Sequence, residues 1–213
     1  MMNGIAFRRT VIGLFAAFVT GCGALLPDLG PNGEPLPAMY DLAPPTEFPP
    51  DLPRVPWSLV IGRPSAIGGL DSANIAVRPM PLRIDYYADA RWTTRAPDML
   101  HHYIITSFQN TNLMRSVGGA AALDAGYLLE SDLVRFETVY PPGSDRPEIH
   151  VRIYATLVTV PGGSVRASRA FEAKVTPASV ALPDVIEAFD AAATQVVQEL
   201  IRWTLTTPRR RGT

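Results

Sequence analysis

One thiol, three imidazoles and a terminal run of arginines are the side chains of this 213-residue sequence whose types and spacing invite chemistry. Cys22 is the only cysteine, and it closes the segment Val19-Thr20-Gly21-Cys22. Arg8 and Arg9 lie upstream, followed by an uncharged apolar run from Val11 to Val19. A basic start, an apolar stretch too short to span a bilayer comfortably and a small-residue junction have the form of a secretory leader cut beside the cysteine. His101 and His102 are neighbours in a helical pattern, so their side chains diverge by about 100° and cannot chelate one metal together. His150 falls on the polar phase of a strand. The acidic residues are scattered, with no close pair placed on one face for acid–base work. There is no Gly-rich phosphate loop, no metal-ligand cluster and no Gly-x-Ser-x-Gly nucleophile motif. The sequence therefore predicts no catalytic site, no cofactor and no metal.

Val19, Thr20, Gly21 and Cys22 resemble the lipobox of bacterial lipoprotein signals, which reads aliphatic, small or polar, small, Cys. That resemblance implies a diacylglycerol thioether on Cys22, cleavage before it, and acylation of the new amino terminus with a chain such as palmitate. Three plainer readings compete. An ordinary secretory signal shares the Arg-Arg start but needs no cysteine at the cut. A single transmembrane anchor would need a longer run and would meet Pro27. A lone cysteine can also be an inert apolar residue. The place of the thiol at the end of the segment favours acylation.

The formal net charge of −1 does not suggest a nucleic-acid partner. With no second cysteine the mature chain cannot form an internal disulfide, so it must fold on its apolar core, and 47% hydrophobic residues suffice for that. From Gly23 to Pro56 a proline recurs every few residues, with doublets at Pro44-Pro45 and Pro49-Pro50. Proline fixes φ and lacks an N–H, so this stretch is read as an extended tether interrupted by Tyr40-Asp41-Leu42, which could lie along the domain. The expected organisation is a signal over 1–21, a Pro-rich tether over 22–56, a folded domain over 57–207 and a basic tail over 208–213.

Within the domain the patterning predicts strands at Trp57–Ile61, Asn74–Arg78 (stopped by Pro79) and Leu82–Tyr86. A helix opens at about Pro97, with Leu100, Tyr103, Ile104 and Phe108 on one face and Asn110–Asn112 at its close. A brief strand follows around Leu113–Val117. Tyr127–Tyr140 carries Leu129, Ser131 and Leu133 in one phase, and Phe136 breaks that phase by one residue, which predicts a bulge near Arg135. Ile149, Val151, Ile153, Ala155 and Leu157 alternate strictly. Ser164–Thr176 returns antiparallel, with Val165, Ala167, Phe171, Ala173 and Val175 in phase. A last helix from about Pro183 to Leu205 has the stripe Val185, Phe189, Ala192, Val196, Leu200 and Trp203. The fold class is α+β: a mostly antiparallel sheet with two helices packed on one face, preceded by the signal and tether.

Two surface features remain. Tyr86, Tyr87 and Trp92 precede the first helix and are either a partner-binding cluster or core residues at a strand-to-helix junction. Arg209-Arg210-Arg211 either touches anionic headgroups or is a solvated tail.

The order of these features resembles a known family. Lipobox Cys22, Tyr40-Asp41-Leu42, the Ser58–Ile61 strand, Asn74–Pro79, Ile84-Asp85-Tyr86-Tyr87, the helix after Pro97, the Leu129/Leu133/Phe136 strand and the long final helix together are similar to the ABC-type transport auxiliary lipoproteins. These include the PqiC-like component of Mce-type systems. The resemblance covers the whole mature domain, and order rather than any single motif carries it. The proline-rich stretch before the first strand is longer than is common in the family. The resemblance implies a non-enzymatic subunit, with an MCE-domain protein and its ABC permease and ATPase as partners. It implies an outer-membrane anchor facing the periplasm through lipidated Cys22, and homo-oligomerisation is a further expectation. Gly23, where Asp would signal inner-membrane retention in enterobacteria, favours outer-membrane sorting. The alternative is a stand-alone structural or envelope-assembly lipoprotein that shares only the fold.

Overall fold

The computed structural model describes residues 36–119 and 126–207. The lipobox residues Val19 to Cys22 and the Arg209-Arg210-Arg211 tail lie outside them.

Strand β7 (Tyr127–Val139) is the spine of the sheet. Along one edge it pairs antiparallel with β8 (Glu148–Thr159), in the register Leu129↔Leu157, Leu133↔Ile153 and Phe136↔Val151. Strand β9 (Val165–Val175) then pairs antiparallel with β8. The alternation seen in the sequence is the face of this meander: Ile149, Val151, Ile153, Ala155 and Leu157 are all buried. The register of β7 shifts between Leu133 and Arg135. That extra residue keeps Phe136 on the same buried face as Leu133, at the bulge the sequence predicts. Gly162 and Gly163, at φ of 118° and 63°, make the tight return between β8 and β9. Val165 differs from its predicted inward phase. The β8–β9 register shifts beside it, between Leu157 and Val158, and leaves it exposed.

The other edge of β7 is shared in succession by three parallel neighbours. These are β2 (Ser58–Ile61), β3 (Ser65–Ala66) and β4 (Asn74–Met80). Strand β5 (Arg83–Trp92) pairs antiparallel with β4, β1 (Ala38–Tyr40) runs parallel to β5, and β6 (Ser116–Gly118) runs parallel to β2. The sheet is thus mixed, with its long ladders antiparallel. Strand β4 continues through Pro79 to Met80 rather than stopping before it. Pro79 lies beyond the last β7 partner (Arg78↔Val139), within an irregular stretch of the β5 pairing, where no ladder N–H is needed.

Helix α1 (Ala96–Thr111) begins with Pro97 in its first turn and ends at Asn112, whose φ of 53° is a left-handed cap. Helix α2 (Leu182–Thr206) lies against β8 and β9 and buries Val185, Phe189, Ala192, Val196 and Leu200. Trp92, Phe136 and Phe189 meet at 5.0–5.3 Å between ring centroids and join β5, β7 and α2 in one aromatic cluster. Tyr103 donates to or accepts from Thr194 at 3.0 Å, linking the two helices.

Residues 37–56 depart from their reading as a tether. The compact unit begins at Pro37, and residues 37–56 form a strap over both helices. Leu42, Leu52 and Val55 are buried, and Phe48 packs against the same core. The Asn110 amide donates to Pro45 O at 2.9 Å, Gln198 donates to Glu47 O at 3.2 Å, and the Arg202 guanidinium clasps Asp51 at 2.6 and 2.9 Å. The prolines bar this stretch from a central ladder, yet the apolar residues between them can still fill a groove.

Candidate docking surface

Tyr86, Tyr87 and Trp92, the residues marked as a candidate partner surface, do not form one cluster. The register of Tyr86 with Ala76 places it on the sheet face away from the helices. There its ring is partly exposed, and its hydroxyl donates to Gly69 O at 3.4 Å. A Cβ on Gly69 would come within 2.5 Å of that phenol oxygen, so any larger residue there would push the ring aside. Tyr87 turns to the opposite face and donates to Thr138 Oγ1 at 3.4 Å. Burial raises its phenol above the ordinary pKa, and the Thr138 contact pulls it partly back. Trp92 is in the core at 1% exposure, so it cannot meet a partner. The reason is local. Between Asn74 and Ala76 the β4–β5 pairing takes up several extra residues of β5, which turns Trp92 inward onto Phe136 and Phe189. Its Nε1–H has no protein acceptor.

The structure brings together a group that spacing did not reveal. Glu137 follows the β7 bulge on the face away from the helices, and its side chain is only 1% exposed. It accepts both prongs of the Arg78 guanidinium at 2.9 Å and a third bond from Arg135 at 2.9 Å. Arg78 also donates to Pro81 O at 3.1 Å, which fixes the β4–β5 turn. These residues floor a groove of about 270 Å³ whose walls include Met80, Val139, Tyr140 and Pro142. His150 lies at its edge, hydrogen-bonded to Glu148. A charge with this many partners is an organising strut, and nothing in the set offers a free nucleophile or base. Arg78 and Glu137 lie far apart in sequence, so only the parallel β4–β7 pairing could have announced them.

A second groove, of about 440 Å³, runs between Arg63, Ser65 and β7. Several of its polar groups are engaged: Arg63 with Asp98 and Asp71, and Ser65 with Asp132. The hydrogen bond from Arg63 holds the Asp98 carboxyl below its ordinary pKa. His101 Nε2 meets Ile61 O at 2.9 Å and ties α1 to β2 as a structural contact. Among the described residues no group of histidine, cysteine and carboxylate side chains is spaced to hold a metal ion, and no helix is long and apolar enough to cross a membrane.

Residues 40–201 match the family described as the ABC-type transport auxiliary lipoprotein component. The chain belongs to this family. The auxiliary-lipoprotein fold is also that of a crystallised DUF330 protein from Xanthomonas campestris, 32% identical, with a TM-score of 0.75 over 80% of this chain and 95% of that one. An uncharacterised protein of Bradyrhizobium diazoefficiens is 30% identical over 172 residues, or 78% of this chain. This chain spans 44% of the length of that relative. A further crystal structure, of an uncharacterised protein, shares the fold at 11% identity, with a TM-score of 0.62 over 79% of this chain and 99% of that one. The family is one of envelope lipoproteins described as transport components rather than as enzymes.

Proposed function

We propose that this chain is a membrane-anchored, non-enzymatic auxiliary subunit of an ABC/MCE-type system that moves lipids or other hydrophobic compounds. In this reading it docks the periplasm-spanning MCE-domain component at the outer membrane. The observation that carries the proposal is the family match across residues 40–201, downstream of a lipobox cysteine. Acylated Cys22 is the anchor. One acyl chain adds about 0.8 kcal/mol per buried methylene and holds only marginally; stable attachment needs at least two signals, a requirement that triacylated Cys22 exceeds. Gly23 supports sorting to the outer membrane. Because the fold begins at Pro37, the chain between Cys22 and the domain can span at most about 50 Å even when fully extended. The docking domain therefore works close to its membrane.

Cys22→Ala tests the anchor. The variant should keep the wild-type circular dichroism spectrum, leave the membrane fraction and fail to support transport. If it still fractionated with the outer membrane and supported transport, the proposal would fail.

A further inference from the structure

One end of the sheet carries apolar side chains that the fold does not use. Strands β4 and β7 run parallel, with Arg78 beside Val139, so the β4–β5 and β7–β8 turns leave the sheet side by side. The β9–α2 connection leaves from the same end, because Val175 registers with Ile149 near the start of β8. At this end Leu82 is 99% exposed, Met80 53% and Val180 65%. Pro81, Pro141 and Pro142 stand beside them, and a groove of about 490 Å³ separates the first two turns. Isolated exposed apolar residues are ordinary, but two connections tipped with them, beside a third that carries Pro141 and Pro142, form a patch at one end.

We propose that this end of the sheet rests in a lipid surface, as a second and weaker membrane contact beside the Cys22 anchor. Four features of the molecule favour lipid. The turns hold Pro81, Pro141 and Pro142, which have no N–H to strip of water on entering an apolar layer. The first turn is held in place by the Arg78 bond to Pro81 O, and Arg78 is itself fixed by buried Glu137. Charge at this end is balanced, with Arg83 paired to Asp85 at 2.9 Å and Asp145 next to Arg146. Finally, the chain can reach. Ala38 pairs with Ala90 on β5, roughly 26 Å along the strand from Leu82 at 3.3 Å per residue. The segment between Cys22 and Pro37 can extend to about 50 Å, so an acylated Cys22 can lie in the surface that the turns touch. The inference rests on the proposed function only for that anchor.

The full-length lipidated chain in phosphatidylethanolamine–phosphatidylglycerol vesicles supplies the test. Acylated Cys22 takes no thiol label, so Leu82→Cys and, at the opposite end of the sheet, Val165→Cys can each carry one environment-sensitive fluorophore. The fluorophore at position 82 should shift to the blue and be quenched by acyl-chain spin-labelled lipid, while that at 165 should show neither effect at any salt concentration. The quenching seen with Met80→Cys should be lost when Leu82→Asp is added. A fluorophore at 82 that stays in water overturns the inference. So does one shielded without vesicles in proportion to protein concentration, which gives the turns to a second copy, or one shielded only by an added MCE protein. Wild-type chain treated in parallel separates the two readings. Label on Cys22 overturns the anchor, whereas an unlabelled Cys22 with position 82 in water overturns the lipid contact alone.

Discussion

Leu52 decides whether residues 37–56 are fold or tether. Its side chain is 8% exposed, between Asp51, which Arg202 of α2 grips, and Val55, whose N–H donates to Leu113 O at 2.8 Å. Leu52→Ala removes buried methyl groups from a site pinned on both sides, so the cavity cannot close freely. Such substitutions cost about 2–5 kcal/mol, and a half-closed surface strap belongs near the lower end, about 2–3 kcal/mol. For a domain of this size, each kcal/mol lowers the Tm by roughly 2–4 °C. Arg54→Ala, two residues on and exposed, is the control and should stay within about 0.5 kcal/mol of wild type. Urea unfolding followed by near-ultraviolet circular dichroism reads both, with the slope unchanged and only the midpoint moved. If Leu52→Ala and Arg54→Ala unfold at the wild-type midpoint together, the strap is a tether and the boundary at Pro37 is wrong.

Two further perturbations test the charged framework. Glu137→Leu leaves Arg78 and Arg135 facing each other without their carboxylate and should cost roughly 3–5 kcal/mol, whereas Arg78→Met with Glu137→Leu should recover most of that loss. A urea double-mutant cycle showing no coupling would remove Glu137 from its role as strut. For Asp98 the folded-state pKa lies below the unfolded one because Arg63 hydrogen-bonds the carboxylate. Its contribution is therefore present above about pH 4 and is lost as the pH falls through the folded value. Asp98→Asn should flatten the stability profile below about pH 4, and an unchanged acid limb would contradict this.

The meander, its bulge and both helices were legible because each rests on a local period. Strict alternation over Ile149–Leu157, the slipped phase at Phe136 and the 3.6-residue stripes of α1 and α2 all name their own buried face. Trp203 shows the limit of such reading: it belongs to the α2 stripe but sits at the sheet's rim, edge-on to Phe171 at 5.5 Å. The strap was legible only at Tyr40-Asp41-Leu42, where β1 pairs with β5 and Leu42 is buried. Prolines report what a segment cannot join, and Leu42, Leu52 and Val55 are too irregularly spaced to make a period. The Glu137 strut was hidden for another reason, since parallel pairing joins residues that share no local pattern. In β5, alternation correctly separates Tyr86 from Tyr87, but the irregular pairing that turns Trp92 inward leaves no mark in the sequence.

Purification of the full-length chain from membranes after mild crosslinking tests the proposed docking role most directly. The account predicts that an MCE-domain protein, with its ABC permease and ATPase, is recovered alongside the wild-type chain and lost with Cys22→Ala. Recovery of the lipoprotein alone, from cells that contain those partners, would contradict it.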